Sequence, residues 1–100
     1  MYGLIGKMTV APGTRDTVLA ALLDGVRSMP GCLSYIVAHD PTDADAVWVT
    51  EAWDSKDSHA ASLGLPAVQR AIAVARPHIT GFGPRFETVP AGGHGLDPVA

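Results

Sequence analysis

Three residues that could carry out acid–base chemistry or bind an aromatic ring lie close together in the middle of the chain: Glu51, Trp53 and His59. Side chains of a strand alternate between its two faces, so Glu51 and Trp53 share one face of a strand. His59 lies just inside the helix expected to follow, and histidine is the side chain most often used as a general base. We therefore predict a functional site where this strand meets the helix.

Two neighbouring sequence patterns must position these three residues. The β-branched and aromatic run Val47–Trp53 predicts a strand, with Val47 and Val49 on the face of Glu51. Asp54 and Ser55 can then cap a helix, because their side chains accept hydrogen bonds from the free backbone N–H groups of a first turn. The strand and the helix are thus predicted to form a corner that brings a carboxylate, an indole and an imidazole together.

Periodic patterns along the rest of the chain predict the remaining elements. The strands are predicted at Tyr2–Val10, Cys32–His39 and Ile79–Val89. One helix is predicted to begin after Thr14 and to end at Pro30–Gly31. The capped helix is predicted to be interrupted before Pro66 and to end at Pro77. This order predicts an α+β fold, a ferredoxin-like βαββαβ sandwich with an antiparallel sheet and helices on one face.

The faces of this sheet lead to two further expectations. On the last strand, Phe82 and Phe86 are predicted to share one face and Arg85 and Glu87 the other, with a bulge or kink near Phe82, which glycines flank. The sheet face without helices is expected to be apolar and uncovered. A second copy of the chain is the simplest cover, because two-fold homodimers are the commonest oligomers.

Composition limits the organisation and the partners of the chain. Its 100 residues predict one domain over residues 1–89, and the Gly- and Pro-rich residues 90–100 are expected to form a flexible tail. The formal net charge of −3 and the dispersed basic residues argue against nucleic-acid binding. We expect no membrane span and no signal peptide. The single cysteine, Cys32, cannot form an internal disulfide and favours a reducing, cytoplasmic location.

Three segments resemble the antibiotic biosynthesis monooxygenase family, which includes quinol monooxygenase-like proteins and belongs to the dimeric α+β barrel superfamily. The segments are Met29–Tyr35, Glu51–His59 and Pro66–Val68. The resemblance implies a homodimer that pairs as an α+β barrel and a pocket in each subunit for a small aromatic substrate. It also implies oxidation by molecular oxygen without flavin, metal or haem. Haem-degrading relatives carry a histidine ligand that Ala67–Ala75 lacks, so haem degradation is disfavoured.

Each candidate residue has a structural alternative beside its functional role. Trp53 could stack on an aromatic substrate or pack in the core, and Glu51 could orient His59 or a substrate hydroxyl or pair with an arginine. Tyr35 could donate a hydrogen bond to substrate or pack in the core. Further along the chain, Arg76 could stabilise an anion or the C-terminus of a helix. The predicted catalytic residues are thus His59 and Glu51, and the predicted substrate-binding residues are Trp53, Tyr35, Arg76, His78 and Phe82.

The sequence predicts no metal site, because its histidines are too scattered for a ligand set and the acidic turn Asp40–Asp45 lacks the glycine and the distal glutamate of a calcium loop. Three functions stay open. The first is cofactor-independent oxidation of a quinol, polyphenol or polyketide-like aromatic. The second is a non-catalytic small-molecule-binding or dimerisation module, and the third is a non-oxidative isomerase or cyclase of the same superfamily.

Overall fold

A four-stranded antiparallel sheet with helices on one face forms the molecule, and the computed structural model describes residues 1–96. The elements in chain order are β1 (Tyr2–Val10), α1 (Arg15–Gly25), β2 (Cys32–His39), β3 (Ala46–Trp53), α2 (Lys56–Ser62), α3 (Pro66–Ala75), a short 3-10 turn (Arg76–His78) and β4 (Ile79–Thr88). The sheet order is β2-β3-β1-β4. The predicted ferredoxin-like α+β fold is therefore confirmed.

The core lies between the helices and one face of the sheet, which we call the helix-covered face. The alternation predicted for β3 holds, since Val47, Val49 and Trp53 are buried on this face and Trp53 is 0% exposed. Around Trp53 pack Tyr2 and Leu4 of β1, together with other apolar side chains. The helix-covered face of β3 is thus almost wholly apolar, and Glu51 is its one carboxylate.

The other side of the sheet, the open face, has no helix on it. Ile36 and Phe86 are 56% and 54% exposed there, on the same face as Ile5. A cavity of about 380 Å³ lies between this face and residues 90–96. The predicted flexible tail, 90–100, extends beyond the described residues at positions 97–100, and its flexibility stays a prediction.

The first helix is shorter than the sequence pattern predicts. α1 ends at Gly25 and not at Met29. A Cβ atom at Gly25 would lie 2.5 Å from the Cβ atom of Ala71, so the glycine lets α1 and α3 approach closely. Beyond it the chain leaves the helix, and the buried Met29 packs against Trp53. The helix thus ends before Pro30, at the glycine that faces α3.

The predicted faces of the last strand are wrong for the two phenylalanines. Phe82 pairs with Met8 on the helix-covered face, whereas Phe86 pairs with Ile5 on the open face. One extra residue between Phe82 and Arg85 shifts the register of β4 against β1. Such a bulge reverses the alternation beyond it. The predicted bulge is thus confirmed, and it moves Arg85 to the helix-covered face, opposite Gly6.

A polar cluster anchors the turn between β2 and β3. The side chain of Asp40 is 7% exposed and lies 3.3 Å from Lys7 Nζ. Its Oδ1 atom accepts hydrogen bonds from the backbone N–H and the hydroxyl of Thr42, and its Oδ2 atom accepts one from Trp48 Nε1 at 2.8 Å. The backbone N–H of Thr42, the Trp48 indole, the Thr42 hydroxyl and Lys7 hold the pKa of Asp40 well below its usual range. The folded state therefore favours the carboxylate.

We expect Asp40→Asn to lower the thermal midpoint at pH 7, because it removes these charge-assisted interactions. A depressed pKa contributes stability that is present above the usual aspartate pKa, near about 4, and is lost as the pH falls. The gap between wild type and variant should therefore narrow below about pH 4. Thermal melts from pH 3 to 7 test this, with the exposed Asp24→Asn as the control. A gap that stays constant with pH would contradict the assignment.

Candidate functional site

The predicted corner forms where β3 ends and α2 begins. Ser55 caps α2, since its side chain accepts a hydrogen bond from the backbone N–H of Ser58 at 3.1 Å. One turn into α2, the ring of His59 lies edge-on to Trp53, with 5.5 Å between the ring centroids. His59 Nε2 is 3.7 Å from Glu51 Oε1, and Trp53 Nε1 donates a hydrogen bond to the same oxygen at 3.0 Å. The indole and the imidazole thus converge on one carboxylate oxygen.

Glu51 occupies an unusual position for a carboxylate. Its side chain is 13% exposed, and that of His59 is 16% exposed. Burial raises the pKa of Glu51, while the Trp53 hydrogen bond and the charges of His59 and Arg85 partly offset this rise. A carboxylate with a raised pKa takes up a proton more readily than an exposed one, so Glu51 is suited to accept a proton from a bound molecule.

Tyr35 faces Glu51 across the pairing of β2 and β3. Burial, and then the nearby charge of Glu51, raise the pKa of the Tyr35 phenol well above its usual range. The hydroxyl therefore keeps its proton at neutral pH and is available as a hydrogen-bond donor. The pairing register of β2 against β3 brings these two residues together, and no pattern in the local sequence predicts it.

Two cavities meet at Glu51 and Tyr35, and both residues line each of them. The larger cavity has a volume of about 370 Å³. Besides this pair, its walls include Leu4, Gly6, Met8, Val49, Phe82 and Arg85. The smaller one, which we call the inner chamber, has a volume of about 130 Å³ and also contacts Trp53 and His59. Glu51 and Tyr35 therefore stand between a space of ligand size and a smaller one behind it.

The other predicted residues lie apart from the corner to different degrees. Phe82 lines the larger cavity and is 79% exposed, which places it at the rim. Arg76 lines a separate cavity of about 260 Å³, which also reaches Phe82. His78 is in the 3-10 turn, where its carbonyl oxygen accepts a hydrogen bond from the backbone N–H of Ala11 at 2.8 Å. Glu51, Trp53, His59 and Tyr35 thus form one group, and Arg76 and His78 do not join it.

One site residue is missing from the sequence prediction. Arg85 lines the larger cavity together with Glu51, and its positive charge acts on the pKa of that carboxylate. Simple alternation places it on the wrong face. The available signal was Gly83–Pro84, the dipeptide at which β4 gains its extra residue. Because Gly6 opposite has no side chain, Arg85 has space above the central strand.

The described residues contain neither a metal-binding cluster nor a membrane-spanning helix. Within residues 1–96, no three His, Cys, Asp or Glu side chains are grouped closely enough to hold a metal ion. None of the helices in this part of the chain is long and apolar enough to cross a membrane.

Comparison with known proteins assigns the fold to a family. A sequence model of the family described as "Antibiotic biosynthesis monooxygenase" matches residues 1–74. A crystal structure from Chloroflexus aurantiacus J-10-fl, provisionally named an antibiotic biosynthesis monooxygenase, is 60% identical; the match covers 96% of this chain and 98% of that one, with a TM-score of 0.93. The chain therefore belongs to the antibiotic biosynthesis monooxygenase family, as its sequence motifs predict. A search of curated proteins finds no match.

More distant structures share the fold alone. One from Deinococcus radiodurans, also provisionally named an antibiotic biosynthesis monooxygenase, is 22% identical; the match covers 93% of this chain and 95% of that one, with a TM-score of 0.73. Another of the same provisional name, from Nitrosomonas europaea, is 17% identical; the match covers 92% of this chain and 98% of that one, with a TM-score of 0.73.

Proposed function

We propose that this protein is a cofactor-independent monooxygenase that oxidises a quinol, polyphenol or polyketide-like aromatic with molecular oxygen. The observation that carries the proposal is the partly buried carboxylate of Glu51, which lines a largely apolar cavity of about 370 Å³. Such a cavity can hold an aromatic molecule of two or three rings. Family membership supports the oxidative chemistry.

In this proposal Glu51 takes the proton of a bound phenol, because its pKa is raised and it lines the cavity. Arg85 and the Tyr35 hydroxyl stabilise the resulting anion by charge and by a hydrogen bond. Trp53 and His59 act through Glu51 and do not touch the substrate, since both contact Glu51 and neither lines the larger cavity. His59 in its neutral form can then receive the proton from Glu51, so that both predicted catalytic residues take part in one proton path.

The redox balance needs no other reductant. The electron-rich anion supplies every electron that reduces dioxygen; one oxygen atom enters the ring and the other leaves as water. An anthrone thus becomes an anthraquinone, as its methylene carbon loses two hydrogens and gains one oxygen. The protein supplies shape, a base and groups that stabilise the anion.

Oxygen consumption with a panel of naphthoquinols and anthrones tests this function. We expect oxygen uptake and product formation above the uncatalysed background. Labelled dioxygen should leave one labelled oxygen atom in each product molecule and the other in water. A ligand that raises the thermal midpoint but is recovered unchanged under oxygen would favour a binding module instead. Turnover that persists without oxygen would favour an isomerase or cyclase.

The proposal includes a homodimer, supported by the exposed apolar residues of the open face. We expect the wild type to sediment as a dimer and Ile36→Lys to sediment as a monomer, because the lysine would bury a charge in the interface. Leu23→Lys, at a site on α1 that is 54% exposed, is the matched control and should stay dimeric. A monomeric wild type at micromolar concentration would refute the dimer. The proposed setting is the cytoplasm, supported by the lone Cys32.

A further inference from the structure

The inner chamber is a small, partly open space behind Glu51, lined mainly by apolar side chains. Its volume is about 130 Å³. The apolar wall comes from α1, the segment after it, the end of α2 and α3: Leu22, Val26, Met29, Leu63, Val68 and Ala71. An engineered apolar cavity of about 150 Å³ stays dry and takes up xenon. A chamber of this size is too small for an aromatic molecule of two or three rings but admits a small gas molecule.

Several polar groups at the chamber are already engaged in contacts within the protein. Glu51 Oε1 is already contacted by Trp53 Nε1 and His59 Nε2, and the Ser62 hydroxyl donates a hydrogen bond to the carbonyl oxygen of His59 at 2.6 Å. In residues 1–96, every buried side-chain nitrogen and oxygen has a hydrogen-bond partner. The polar groups of the chamber are concentrated on its Glu51 and Tyr35 side, whereas the part of its wall formed by Leu22, Met29 and Ala71 carries no polar side chain that would hold a water.

The chamber lies next to the larger cavity, where a substrate would bind. Glu51 and Tyr35 line it and also line the larger cavity, so a molecule in the chamber is one side chain away from a bound aromatic. Leu63 is 47% exposed and marks the side of the chamber nearest solvent. Apolar solutes leave water for apolar surroundings, and dioxygen is such a solute.

We propose that the inner chamber binds dioxygen and holds it behind Glu51 and Tyr35, next to the substrate in the larger cavity. The inference rests on the proposed function for the identity of the gas. The binding itself depends only on the volume and the apolar wall of the chamber. It can therefore be tested separately from turnover.

Crystals of the wild-type protein pressurised with xenon, and separately with oxygen, test the binding. We expect a xenon peak and an oxygen peak in the chamber, between Met29 and Ala71. Val68→Phe should fill the space and abolish both peaks. Val74→Phe makes the same change at a site of the same helix that is 50% exposed and not part of the chamber wall, and should keep both peaks. Ordered water in place of either gas would overturn the proposal.

A solution measurement gives an independent readout. Dissolved oxygen is paramagnetic, so the methyl resonances of Met29 and Ala71 should relax faster under oxygen than that of exposed Val74. Leu63→Phe offers a second way to block the chamber at a half-exposed position that tolerates a larger side chain. In an active enzyme, both blocking variants should raise the KM for dioxygen on the order of threefold or more, with a smaller effect on the KM for the aromatic.

The outcomes separate the two proposals. Gas bound in the chamber of a protein that consumes no oxygen with any quinol or anthrone refutes the proposed function and supports the binding site. An active enzyme whose chamber takes up neither gas overturns the binding site and leaves the proposed function standing. An unchanged KM for dioxygen in both blocking variants would refute a role of the chamber in turnover.

Discussion

Glu51→Gln lowers kcat by roughly 10²–10⁴-fold in the proposed reaction, the range that general-base catalysis contributes. The substitution keeps the shape of the side chain and removes its ability to accept a proton. The KM for the aromatic should change less, because the walls of the larger cavity stay in place. Steady-state oxygen uptake with the best quinol or anthrone, together with a thermal melt, measures both effects.

The matched control is Glu87→Gln, which makes the same change on β4 at a side chain that is 55% exposed. Glu87 does not belong to the walls described for the larger cavity or the inner chamber. Equal rates for wild type and Glu51→Gln would remove Glu51 as the base. Rates unaltered by His59→Ala and Trp53→Ala would remove the corner as the site.

The pH dependence of kcat/KM provides a second readout of the same role. A base must be deprotonated, so activity should rise with pH through the pKa of Glu51, which burial raises. Trp53→Phe keeps an aromatic ring but removes the indole N–H that donates to Glu51. Because this hydrogen bond favours the carboxylate form, its loss should shift the acid limb of the profile to higher pH. A purely structural role of Trp53 would leave the limb unmoved.

Trp53→Ala should lower the free energy of unfolding by about 3–5 kcal/mol, the usual cost of truncating a buried large aromatic side chain. Trp53 is 0% exposed and packs with Tyr2, Leu4 and Met29 at the centre of the helix-covered face. The substitution also removes a hydrogen-bond donor from the partly buried Glu51, which adds to the cost. Urea denaturation at pH 7 measures the effect.

Phe82→Ala is the comparison for Trp53→Ala, because Phe82 is 79% exposed at the rim of the larger cavity. Removing an exposed side chain usually changes stability by no more than about 0.5 kcal/mol. A loss for Trp53→Ala no greater than that for Phe82→Ala would contradict the burial of the indole. In an active enzyme, Phe82→Ala should instead raise the KM for the aromatic.

Much of the corner could be predicted because its residues are close in sequence. Glu51, Trp53 and His59 span nine positions, and their arrangement depends on strand alternation, a serine cap and one helical turn. The order of elements likewise determined the fold class, since few topologies accommodate that order. These features depend on the φ and ψ preferences and polarity of adjacent residues, which any local stretch of sequence displays.

Only the tertiary structure decided the rest of the site. The register of β2 against β3 brings Tyr35 to Glu51, and the bulge in β4 brings Arg85 to the same cavity and turns Phe86 away. The first helix ends at Gly25, where the absence of a side chain lets α1 and α3 approach closely. Register, bulges and cavity volumes arise from contacts between distant segments, and their small energy differences are not visible in local patterns. The sequence by itself determined which side chains can do the chemistry, whereas packing decided which of them meet at a cavity.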